Sequence, residues 1–277
     1  MRIHWQLILS LLILGLGQAA QGAEEAFRVC ADPANPPLST KQAQGFENRI
    51  AHLFARELRQ KVEYTWFPQR IGFLRNTLKA KDPETGRYKC DVVMGVPAGY
   101  ELASTTRPYY RSTYVLVVAK GKGFDDVHAP GQLFSLPEER RQALKIAMFD
   151  RTPGVTWLLR HGLLKQGRTY QSMTGDPNVN TAMRLEKEFE AGNINMAVVW
   201  GPIGAYLAWR HPQDYELLPL KSEKGLRFNY AIAMAVRRGD KERQQLLQDL
   251  IERKHDQIVA LLREYHVPLV DKEGNPL

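Results

Sequence analysis

Few of the side chains able to do chemistry in this chain are arranged to do it. The seven histidines are dispersed without metal-ligand spacing. His52 and His255 fall within helical patterns and read as surface or packing residues. A Gly-x-Ser-x-Gly elbow, His-Glu-x-x-His, a Walker loop and a Gly-x-Gly-x-x-Gly after a strand are all absent. Asp91 has the type of a general acid or base, but it starts a strand and has no evident acid partner. Cys30 and Cys90 read either as a disulfide or as two buried thiols. Two cysteines with no histidine near either make a poor metal site. What remains is an aromatic and basic set suited to binding rather than to catalysis.

The elements that must position these residues alternate. Phe27 to Asp32 predicts a strand, after which Pro33, Pro36 and Pro37 force an irregular loop. Phe46, Ile50, Leu53, Phe54 and Leu58 predict an amphipathic helix. A strand over Val62 to Trp66 and a helix over Arg70 to Lys79 follow, the latter with Ile71, Leu74 and Leu78 inward. The run from Asp91 to Gly95 has no alternation, as in a parallel strand covered on both faces. The pattern opens a doubly wound lobe. Further strands are expected at Leu144 to Phe149, Asn195 to Trp200, Tyr215 to Leu220 and Phe228 to Val236. Helices are expected over Val155 to Leu164, from an Asn178 or Asn180 cap to Glu190, from Gly201-Pro202 to Trp209, and from Asp240 onward to Tyr265. Asp271 to Leu277 reads as a loose tail.

Met1 to Ala23 reads as a secretory leader: Arg2 is the positive start, Leu7 to Leu16 the apolar stretch, and Gln18 to Ala23 the small residues for cleavage. The apolar stretch is shorter than the roughly 20 residues that span a bilayer. Export would put the cysteines in an oxidising compartment, which favours a bridge. Register weighs against one, because Cys90 begins its strand while Cys30 lies further along its own. The 38 basic residues outnumber the 30 acidic ones, for a formal charge of +8, but they are spread along the chain. Spread charge without a binding motif excludes a nucleic-acid role and leaves steering toward an acidic partner.

The segment from Asp91 to Lys120 resembles the type II periplasmic solute-binding proteins. It has a strand ending in Gly95, a loop from Pro97 to Thr106, a Pro108-Tyr109-Tyr110 element and a crossover at Val115 to Lys120. Together, CADPANPPLS, GFENRIA, EYTWFPQR, GFLRNTLKA, CDVVMGVPAGYE and TTRPYYRSTYV resemble the J-type accessory proteins of methanol oxidation, MxaJ and XoxJ. The resemblance covers roughly residues 27 to 270. It implies an α/β fold of two doubly wound lobes joined by a two-strand hinge. After a leader at 1–23, the first lobe would take 24–118 and 228–270, the second 119–227, with a tail at 271–277.

For function, the resemblance implies a periplasmic, non-enzymatic accessory that assists maturation or activation of a PQQ-dependent methanol dehydrogenase. The dehydrogenase and its c-type cytochrome are the implied partners. No PQQ, haem or lanthanide, and no metal, is expected in this chain itself. Relatives that bind amino acids hold the carboxylate with an Arg in the loop after the third strand, where this chain has Pro97 to Glu101. They hold the amino group with an Asp where this chain has Trp200-Gly201. The expected cleft is therefore aromatic and short of charged anchors: Trp66, Tyr100, Tyr109, Tyr110 and Trp200, with Arg70, Met94, Pro97 and Arg151 beside them. Arg70, Arg107 and Arg111 are either carboxylate or partner contacts, or are paired on their own face. A second reading is the receptor of an ABC importer for a small apolar or weakly acidic solute. A third, a lyase or dehydratase on the same fold, would need an acid and a base in the pocket.

Overall fold

The computed structural model describes residues 26–172, 176 and 179–277. The expected leader and the alternative cap Asn178 lie outside the described residues. The chain begins with β1 (Phe27–Ala31), a hairpin of β2 (Ala34–Asn35) and β3 (Ser39–Thr40), α1 (Phe46–Glu57), β4 (Val62–Trp66), α2 (Phe73–Asn76) and β5 (Val92–Pro97). The short β6 (Ser104–Thr105) precedes the long β7 (Tyr110–Ala119). Then come α3 (Glu138–Gln142), β8 (Ile146–Phe149), α4 (Pro153–Arg160), β9 (Gly167–Tyr170), α5 (Thr181–Glu190), β10 (Met196–Trp200), α6 (Gly201–Arg210) and β11 (Tyr215–Pro219). The chain returns through β12 (Asn229–Val236) to α7 (Lys241–Arg253) and α8 (His255–Glu264).

The strands form two lobes that share one curled, mixed path, β4-β1-β5-β12-β7-β10-β8-β9. In the first lobe β4, β1 and β5 are parallel. In the second β10, β8 and β9 are parallel. Between them, the start of β7 pairs antiparallel with the start of β12, Tyr110 to Thr113 against Asn229 to Ile232. The rest of β7, Tyr114 to Ala119, pairs with β10 and β11. One strand thus carries the chain out of the first lobe and one brings it back. Each lobe buries both faces of its sheet. Phe27, Phe46, Ile50 and Phe54 pack with α7 and α8 on one face of the first lobe, and Leu74, Leu78 and Val93 pack on the other. In the second lobe Leu116, Ile146 and Trp157 lie on one face, and Val117, Leu185 and Leu207 on the other.

Cys30 and Cys90 form a disulfide with Cα atoms 5.4 Å apart. The register difficulty does not arise, because β5 begins only at Val92, so Cys90 lies ahead of the ladder in which Cys30 faces Val93. The second expected helix shrinks to the single turn of α2. Gly72 takes φ 90°, and Asn76 and Thr77 bond back to the carbonyls of Gly72 and Phe73. Ile71 consequently points outward at 74% exposure, whereas Leu74 and Leu78 are inward as expected. The tail is not loose: Val270 bridges Pro276, and Leu277 N–H donates to Leu269 O. The Asn180 cap holds, its side chain accepting from Met183 N–H, as does the Asp240 cap on α7.

Asp91 has a structural task. It is 2% exposed and meets Arg28 at 2.7 Å, Arg237 at 2.6 Å and Arg243 at 3.8 Å. It ties β1, β5 and the approach to α7 together beneath the disulfide. Asp91→Ala leaves three guanidinium groups without their shared carboxylate, so it should cost about 3 kcal/mol in urea denaturation. Arg49→Ala, which breaks the exposed pair with Glu264, should cost less than about 1 kcal/mol. The double change Cys30→Ser, Cys90→Ser releases a loop of 60-residue separation and should lower stability by about 2–4 kcal/mol. An unchanged urea midpoint would contradict the bridge.

Candidate functional site

The carboxyl ends of β5, β8 and β10 and the two connecting strands converge on a cleft between the lobes, the usual ligand position for such sheets. Its cavity is about 400 Å³. From the first lobe come Glu47 on α1, Gly95 to Pro97 at the end of β5, Tyr110 on β7, and Tyr230 and Ile232 on β12. From the second come Tyr114 on β7, Arg151 in the turn after β8, Pro153 at the start of α4, Trp200 at the end of β10, and Ile203. A smaller polar cavity of about 200 Å³ adjoins it. The two meet at Asn35 and Gln69, whose side chains are hydrogen-bonded at 3.0 Å.

Of the expected site residues, the structure brings Pro97, Tyr110, Arg151 and Trp200 together in this cleft, and puts Arg70 in the adjoining cavity. The other four lie elsewhere. Trp66 stacks on Tyr64 with centroids 4.5 Å apart. Met94 is buried in the core, and its carbonyl accepts a bond from the buried Tyr109 hydroxyl at 2.9 Å. Tyr100 packs against the cluster around the disulfide. Tyr109 and Tyr110 remain in ring contact at 4.9 Å, but only Tyr110, the first residue of β7, borders the cleft. Arg107 pairs with Glu252 on its own face.

The ring wall of the cleft is instead Tyr114, Trp200 and Tyr230. Their centroids form a triangle of 5.4 Å (Tyr114–Trp200), 6.0 Å (Trp200–Tyr230) and 6.2 Å (Tyr114–Tyr230). Tyr114 and Tyr230 were missed because each reads as one more residue of a buried strand.

Glu47 was missed as well. It is the second residue of α1, whose start is pinned to the β2–β3 hairpin by Asn48 Oδ1, accepting from Gly45 and Thr40 N–H at 3.0 Å each. The carboxyl lies over the bare backbone of Gly95: a Cβ there would stand 2.1 Å from Oε1. Oε1 is buried and has no hydrogen-bond partner among the described residues. The cleft therefore carries two ionisable groups, Arg151, which was among the expected residues, and Glu47, which was not. Glu47 and Arg151 enter from α1 and from the turn after β8, not from the ends of β5 and β10. Arg151 adopts a left-handed φ of 59°, a conformation that costs a side-chain-bearing residue about 1 kcal/mol and is most often met at functional sites.

No family model matches the chain. It is 27% identical over 267 residues to Protein MoxJ of Methylorubrum extorquens, covering 91% of this chain and 84% of that protein. It is 26% identical over 276 residues to Protein MoxJ of Paracoccus denitrificans, covering 93% and 94%. The crystal structure of the periplasmic binding protein XoxJ from Methylobacterium extorquens AM1 matches 89% of this chain and 100% of its own, with 29% identity and a TM-score of 0.69. The chain is thus similar to the MxaJ and XoxJ type of protein along most of its length. Its fold is that of the type II periplasmic binding proteins, shared at 19% identity and a TM-score of 0.64 with an ancestral cationic amino acid solute-binding protein. Among the described residues no helix is long and apolar enough to cross a membrane.

Burial pushes the Glu47 carboxyl up from 4.5 to about 8, and the charge of Asp32 adds to the rise. Asp32 is held close by two backbone donors, Ala34 N–H at 2.8 Å and Gln69 N–H at 2.6 Å. The unfolded chain ionises Glu47 above 4.5 while the folded chain keeps its proton, so this group makes stability fall as pH rises from 4.5 to about 8. Glu47→Gln cannot ionise. Between pH 6 and pH 8 the wild-type chain should lose about 2 kcal/mol more stability than Glu47→Gln in urea titrations. Parallel profiles for the two proteins would refute the assignment.

Proposed function

We propose that the chain is an exported, non-catalytic accessory of a PQQ-dependent methanol dehydrogenase, acting in its maturation or activation, with the cleft or its rim holding part of the dehydrogenase. The observation that carries this reading is the end-to-end likeness to the MoxJ and XoxJ chains. Three features support it. The disulfide suits an oxidising compartment. Residues 1–23 have the composition of a cleaved leader, which fits a periplasmic protein. The excess of basic over acidic residues favours association with an acidic partner. The lobes in this reading are 24–118 with 228–270, and 119–227, with Tyr114 to Val118 of the crossing strand β7 already paired into the second lobe's sheet.

A second reading is a solute receptor, and the roughly 400 Å³ cleft with a buried carboxyl is what favours it. Neither reading requires chemistry in the cleft. The two are separated by isolating the tagged full-length protein from the periplasm of cells growing on methanol. The accessory reading expects the dehydrogenase to co-purify, and deletion of the gene to lower assembled dehydrogenase activity several-fold. Elution without the dehydrogenase, together with a large thermal shift on addition of one small solute, would replace it with the receptor reading.

A further inference from the structure

The cleft contains a carboxyl with one oxygen buried and unpartnered among the described residues. Glu47 lies at its edge, with Oε1 unpartnered against Gly95. The same cavity is lined by Tyr114, Trp200 and Tyr230, whose rings meet edge to face. The ring quadrupole and a carboxylate without donors attract the same thing, a cation that brings its own N–H groups. Tyr230 already illustrates the affinity of these rings for cations, since the Arg227 guanidinium lies 4.8 Å from its centroid. A carboxylate ligand would meet Arg151 across the cavity but would also face Glu47 and, beyond it, Asp32.

We propose that this cleft binds a primary alkylammonium group, its N–H donors on the Glu47 carboxylate and its alkyl chain against the wall of Tyr114, Trp200 and Tyr230. The group can belong to a free amine or to a lysine side chain of another polypeptide. The inference concerns the cleft alone and does not depend on the dehydrogenase reading.

The groups around Glu47 make the binding proton-linked. Asp32, from the turn after β1, opposes ionisation of Glu47. Tyr64 on β4, Tyr109 just ahead of β7 and Tyr110 at its start all feel the Glu47 charge, and burial holds each phenol above its ordinary range, so they stay neutral near pH 8. Arg151 is the cation facing the cleft from the second lobe. Glu47 is the group that changes state in this window. A cation binding its ionised form must expel a proton at neutral pH.

The test is isothermal titration of the leader-free protein with n-butylammonium, with Nα-acetyl-lysine methylamide and with neutral n-butanol. Affinity for the cations should rise about tenfold between pH 7 and pH 9, because Glu47 passes from about one-tenth to about nine-tenths ionised. At pH 7 the heat should vary with buffer ionisation enthalpy, reporting the release of close to one proton per cation bound. Glu47→Gln should weaken cation binding at pH 9 at least tenfold and remove its pH dependence. Binding of butylammonium supports a free amine as the source. Binding of the lysine derivative alone supports a polypeptide. No binding of either cation at millimolar concentration, equal binding of butanol, or binding unchanged by pH or by Glu47→Gln would overturn the proposal. The proton-release measurement uses the wild-type protein, so the test survives a variant that folds poorly.

Discussion

Tyr110 to Thr113 running antiparallel to Asn229 to Ile232 is the contact through which the two lobes hold together. It is a short ladder in the middle of a mixed sheet, with parallel strands on both sides. Every cleft residue is placed relative to it. Tyr110, Tyr230 and Ile232 belong to the pair itself, and Tyr114 is the next residue along β7. The ends of β5 and β10 are registered against the same two strands. Ser112 and Thr113 close the joint from the side, donating to the carbonyls of Pro268 and Leu220 at 2.7 Å each. Buried hydroxyls so satisfied lock the joint's conformation without an unpaired polar atom.

The chemistry of the cleft follows from what this joint admits. The ends of β5 and β10 deliver Pro97 and Trp200, which carry no charge. Charge arrives by two other routes, α1 and the turn after β8. Glu47 can lie where it does only because Gly95 has no side chain, so a strand glycine and a helix glutamate are two halves of one feature. The same geometry that admits the carboxyl withholds donors from it. Its unusual protonation is a property of that packing and not of the residue.

Most of the strand and helix order was legible because it is carried by local patterns: uninterrupted apolar runs for the parallel strands, helical spacing in α1, and Asn180 and Asp240 as caps. Pairing of Cys30 with Cys90 was left between two outcomes, since an irregular approach to β5 is invisible to strand register. The Arg70 to Lys79 helix failed because apolar spacing says nothing about Gly72 adopting a left-handed turn. The tail was misjudged because its order comes from hydrogen bonds to residues before it, not from its own composition.

The site was less legible than the fold. Trp66 and Tyr100 have the type expected of a cleft lining, yet their strands and turns face them into other packing. Residue types, their periodicity and the absence of catalytic motifs were determined by the sequence alone, because they depend on neighbours a few positions away. Which aromatics meet, and that Glu47 lies over Gly95 without a partner, were decided only in three dimensions. Those contacts join α1 to β5 and β7 to β12, and the burial that makes a carboxyl hold its proton exists only once these distant segments exclude water together.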